Sequence, residues 1–168
     1  MKLTSTCARG ASGDGSAGGL ATFASKITAS DVATVVTPLI LNRVRGLVVT
    51  PDGKFVYVAS SEGDSIACFE RDLTSGALSY KSHLYEGTYV KLRDVFALAV
   101  SQDGKNLYAS TGDMTSKQNC MLWFAIKSTG ALTYGGSDYD CHRNTASSSN
   151  TQVAETGSIK ISPDQTKV

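Results

Sequence analysis

Short, mainly apolar runs alternate with polar turns along this chain, a pattern typical of β-strands rather than helices. Runs at residues 46–49, 97–100 and 159–161 are followed by the related turns TPDG at 50–53, SQDG at 101–104 and SPDQ at 162–165. Proline at the second position and Asp-Gly at the third and fourth favour a type I turn. We therefore expect a β-hairpin at each place, with Gly53 and Gly104 ending the first two turns.

A second turn follows each hairpin, as TSGALSY at 74–80 and STGALTY at 128–134. Phe69 and Trp123 both lie seven residues before the glycine of this turn, so we expect them to occupy equivalent, buried positions. The same alignment places Cys68 at the position of Leu122, where it would pack as a small hydrophobic residue. Each unit then contains two hairpins, with four antiparallel strands that we letter A to D.

The spacing of the repeat indicates the fold. Successive turn aspartates lie 103 − 52 = 51 and 164 − 103 = 61 residues apart, and the turn glycines lie 130 − 76 = 54 residues apart. These values suit the blades of a β-propeller, whereas helical repeats are shorter and carry apolar residues at helical spacing. The sequence predicts an all-β chain, a β-propeller of four-stranded antiparallel blades with about three blades' worth of strands in an incomplete ring.

We assign residues 1–168 to a single partial propeller domain. Residues 1–43 are a degenerate or partial blade, 44–92 and 93–141 are blades, 142–156 are a polar loop, and 157–168 start the next blade. Phe23 to Ser30 align with Phe69 to Gly76 at a constant offset of 46, which favours strands in the N-terminal segment. The alternative is a disordered tail through about residue 19, because that stretch is rich in Gly, Ser and Ala.

The phrases PDGKFVYVAS at 51–60 and FERDLTSGALSY at 69–80 resemble the YVTN-type β-propeller repeat and the 6-phosphogluconolactonase-like seven-bladed propellers. The resemblance covers residues 44–134 and part of 157–168. It implies a propeller fold and leaves two functions open. One is a non-catalytic scaffold for protein interaction or structural assembly, and the alternative is a lactonase-type hydrolase acting on sugar lactones.

In the lactonases an Arg-His pair commonly precedes strand A, and the resemblance can be followed to those positions. Arg45 matches the arginine, but Gly46 occupies the histidine position. In the other two units Phe96-Ala97 and Gly157-Ser158 replace the whole pair. The visible repeats therefore favour the scaffold.

Propeller topology places the loops before strand A and the loops between strands B and C on one face of the ring. Charged loops on a rigid scaffold are common binding sites. Glu62 and Asp64 lie in a B–C loop of this face. The candidate binding residues that precede strand A are Arg43, Arg45, Glu86, Lys91, Arg93 and Asp94.

Composition restricts the function further. The 168 residues carry 16 Lys and Arg against 15 Asp and Glu, a net charge of +1, and no basic patch with interleaved aromatic residues, so we expect no nucleic-acid partner. The sequence contains no run of eighteen apolar residues, so no membrane span is predicted. Phosphate-binding loops and other cofactor motifs are absent, so no cofactor is predicted. Cys141 and His142 are adjacent but lack zinc-ligand spacing, so no metal site is predicted.

Two cysteines bear on the compartment. Cys120 and Cys141 lie ten and eleven residues from the turn at Gly130, almost opposite each other across the C–D hairpin. A disulfide between them is geometrically reasonable and would favour an extracellular or surface-associated protein. Two reduced thiols are the alternative and would fit a cytoplasmic one.

Three blades leave a propeller open, with exposed apolar faces and strand edges. Either the sequence is an excerpt of a longer propeller, or the ring is completed by other protein chains or further copies of this one.

Overall fold

The structure is a computed structural model that describes residues 40–87, 92–113, 118–138 and 158–162. The described residues form eight β-strands and no helix. The prediction of an all-β fold built from four-stranded antiparallel units is confirmed. The strands are β1 (Val44–Val49), β2 (Phe55–Ser60), β3 (Ser65–Arg71), β4 (Leu78–Tyr85), β5 (Val95–Val100), β6 (Asn106–Asp113), β7 (Gln118–Ile126) and β8 (Leu132–Asp138).

The strands form two separate sheets in which spatial order follows chain order. The first sheet has the order β1-β2-β3-β4, and the second has the order β5-β6-β7-β8. All pairs are antiparallel, as in consecutive hairpins. Strands A to D of the two central repeat units are therefore β1 to β4 and β5 to β8.

The predicted turn between strands A and B is confirmed in both sheets. In the first, the Thr50 hydroxyl and the Lys54 backbone N–H donate hydrogen bonds of 2.6 and 3.0 Å to Oδ1 of Asp52. Gly53 follows at φ 74°, and its N–H donates to the Thr50 carbonyl at 2.8 Å. Gly104 repeats the conformation at φ 70°. These bonds link residues at most five positions apart, so the turn is specified locally.

The predicted equivalence of Phe69 and Trp123 is wrong by one residue. Phe69 pairs with Val56, whose repeat counterpart Leu107 pairs with Phe124. Phe69 and Phe124 are 2% and 0% exposed, whereas Trp123 is 41% exposed. The C–D connection spans residues 72–77 in the first sheet and 127–131 in the second, one residue fewer, so distances counted back from the turn glycine do not match.

The same shift corrects the position of Cys68. Cys68 pairs with Tyr57, and the counterpart Tyr108 pairs with Trp123, so Cys68 corresponds to Trp123 rather than to Leu122. Its predicted role as a small buried hydrophobic residue holds, because it is free and 1% exposed.

The largest core lies between the two sheets. One face of the first sheet packs on one face of the second, and burial of these side chains is the main force holding the sheets together. A smaller core covers the opposite face of the first sheet around Val56, Val58, Ala67 and Phe69. The residues of the larger core include Phe55, Tyr57, Ile66, Leu98, Leu107, Leu122 and Phe124.

The predicted segments on either side of the two central blades lie largely outside the described residues. The partial blade at 1–43, apart from residues 40–43, and the polar loop at 142–156 lie outside the described residues. Residues 158–162 are described but belong to no strand, so our placement of a strand A at 159–161 is not confirmed.

Candidate functional site

The loops that precede strand A end in an unusual backbone conformation. Arg43 and Asp94 adopt φ values of 56° and 48°, which non-glycine residues seldom do. Each lies directly before its strand, and each carbonyl accepts a 3.1 Å hydrogen bond, from the N–H of Ser61 and Gly112 respectively. The two candidate residues are therefore structurally equivalent, and the bonds anchor both loops to the ends of the B strands.

Asp64 connects two loops of this face, the B–C loop of the first sheet and the loop between β4 and β5. Its carbonyl accepts a 2.8 Å hydrogen bond from the Glu86 N–H, and its Oδ1 accepts one of 2.9 Å from the Asp94 N–H. The B–C loop of the first sheet thus holds both the end of β4 and the residue before β5. Three of the predicted residues are brought together in this way, as propeller topology required.

The arginines of this face already have partners. Arg43 Nη1 lies 3.3 Å from Glu62 Oε1, and Arg93 Nε lies 3.8 Å from Glu86 Oε2. The Arg45 guanidinium lies over the Phe96 ring, 5.6 Å from its centroid. Exposed ion pairs contribute little to stability, so these contacts mainly set the positions of the charges.

Glu86 differs from the other carboxylates. Its Oε2 atom is shielded from solvent and accepts no hydrogen bond, although Arg93 is close by. A shielded polar oxygen of this kind calls for an explanation, such as a catalytic role or a bound water or ion. Sequence reasoning selected Glu86 for its loop position and had no signal for this burial.

Arg45 and Gly46 lie inside β1 rather than before it, and the neighbouring sheet leaves no room for a side chain at Gly46. A Cβ placed on Gly46 would lie 2.6 Å from the Phe96 carbonyl oxygen and 3.3 Å from the Ala97 Cα. A side chain at residue 46 would therefore require β1 and β5 to move apart. The counterpart residue, Ala97, is 6% exposed.

The described histidine lies away from this face. His83 is on β4, the outermost strand of the first sheet, and its Nδ1 shares a 2.7 Å hydrogen bond with the Tyr80 hydroxyl. Burial lowers the pKa of His83 below its usual value. Its ring also stacks on Tyr85, so the side chain is half-buried in an aromatic cluster rather than freely exposed.

Several predictions fall on residues outside the described part. Lys91 and Cys141 are not described, and only the backbone of Cys120 is, in β7 opposite Thr111. The disulfide therefore stays a prediction. Within residues 40–87, 92–113, 118–138 and 158–162, no three His, Cys, Asp or Glu side chains are grouped to hold a metal ion. The same ranges contain no helix long and apolar enough to cross a membrane.

The chain is similar to parts of several solved structures. A candidate 6-phosphogluconolactonase from Bacteroides uniformis matches with a TM-score of 0.57 and 23% identity, over 74% of this chain and 32% of its own. A candidate 6-phosphogluconolactonase from Bacteroides fragilis gives 0.49 and 28%, over 57% and 26%. The periplasmic gluconolactonase of Pseudomonas aeruginosa gives 0.44 and 20%, over 56% and 26%.

The fold is that of part of a β-propeller. At 23% identity the Bacteroides uniformis match shows the fold alone, and the chain spans about a third of the length of that structure. No family model matches the sequence, and no curated protein matches it significantly.

Proposed function

We propose that this chain is a non-catalytic β-propeller scaffold for protein interaction or assembly. The observation that carries the proposal is the closed position at Gly46, where the resemblance to lactonases calls for a histidine. With the Phe96 carbonyl oxygen 2.6 Å from an added Cβ, the imidazole has no space in this packing of β1 on β5.

The electrostatics of the loop face support the same conclusion. Arg43 pairs with Glu62, and Arg45 lies over the Phe96 ring. A lactone opener needs a general base together with cationic groups that hold the anionic part of the substrate. Because Arg43 and Arg45 already contact Glu62 and Phe96, we expect them to hold the loop surface in place rather than to bind an anionic substrate.

Hydrolysis assays on 6-phosphogluconolactone and on simple aldonolactones test the proposal. We expect rates equal to the spontaneous background for the intact chain and for Arg45→Ala. Turnover above background that disappears in Arg45→Ala would contradict the scaffold role, since it would place the arginine at a substrate.

One observation favours the lactonase-type alternative, namely the Glu86 carboxylate. Its Oε2 accepts no hydrogen bond and lies 3.8 Å from Arg93 Nε, an arrangement compatible with a base beside a cation. The variant Glu86→Gln separates the two functions. Lactone turnover that is present in the intact chain and lost in this variant would establish the hydrolase.

The partners in this proposal are other protein chains or further copies of this chain that complete the propeller. A blade is stable when both of its faces are covered, because each face is largely apolar. The loop face would then remain accessible at the channel mouth for a further partner.

A further inference from the structure

We draw no further inference here: the strongest candidate, the exposed apolar surface patch that Val44, Leu47 and Val49 form on β1, carries none, because nothing in the part of the chain that the structure describes shows what covers it.

Discussion

The Tyr57 hydroxyl donates a 2.8 Å hydrogen bond to the Gly130 carbonyl, joining residues 73 positions apart in the chain. The bond connects β2 of the first sheet to the C–D turn of the second. The Tyr57 side chain is buried in the core between the sheets, and this burial raises the pKa of its hydroxyl above the usual range. A specific polar contact therefore fixes the position of one sheet on the other within an otherwise apolar interface.

Tyr57→Phe should destabilise the chain by about 1–2 kcal/mol, because it leaves the Gly130 carbonyl buried without its hydrogen bond. Urea denaturation measures the loss. Tyr108→Phe is the control, since Tyr108 occupies the same repeat position in β6 but is only half-buried. Equal losses in the two variants would show that the Gly130 contact contributes nothing specific.

Gly130 and Gly104 form a second matched pair. Both have positive φ, at 80° and 70°, but a Cβ on Gly130 would lie 2.5 Å from the Phe55 ring, while the nearest atom to one on Gly104 is 3.6 Å away. Gly104→Ala should cost about 1 kcal/mol through its backbone conformation. Gly130→Ala should cost about 1–3 kcal/mol more, because overpacking is added. Thermal melts of the two variants should differ accordingly, and coincident melts would argue against the packing at Gly130.

The corrected register of strand C predicts that Phe124, and not Trp123, contributes most to stability. Phe124→Ala should cost about 3–5 kcal/mol, because a fully buried aromatic side chain leaves a cavity. Trp123→Ala should cost much less, since its side chain is substantially exposed. Chemical denaturation decides between the registers, and a larger loss at Trp123 would restore the sequence alignment that the structure overturned.

The turn aspartates should make stability depend on pH. The Thr50 hydroxyl and the Lys54 N–H lower the pKa of Asp52, and Ser101 and Lys105 do the same for the pKa of Asp103. A carboxyl whose pKa is lower in the folded state stabilises above its unfolded pKa, near 4. That contribution is lost as the pH falls through the folded pKa.

The test is the double variant Asp52→Asn, Asp103→Asn. It should be less stable than the parent at pH 7, and the difference in unfolding free energy should shrink steadily from pH 5 to pH 3. A difference that is constant across this range would mean that the ionised carboxylates do not stabilise the turns.

Part of the candidate site could be predicted and part could not. Repeat topology alone placed Arg43, Glu86 and Asp94 on one loop face, because equivalent loops emerge on the same side of every blade. The contact of Arg45 with Phe96 could not be predicted from the sequence, because it joins two sheets. The shielding of Glu86 Oε2 depends likewise on tertiary packing.

By itself the sequence determined the strands of the two central units, their A–B turns and the repeat unit. Thr50, Asp52 and Gly53 specify a turn through bonds that span at most five residues, so no distant contact is needed. The tertiary structure decided the register of strand C, the close approach at Gly46 and the exposure of Leu47. Each of these depends on loop length or on a neighbouring sheet, and local hydrogen bonding carries no information about either.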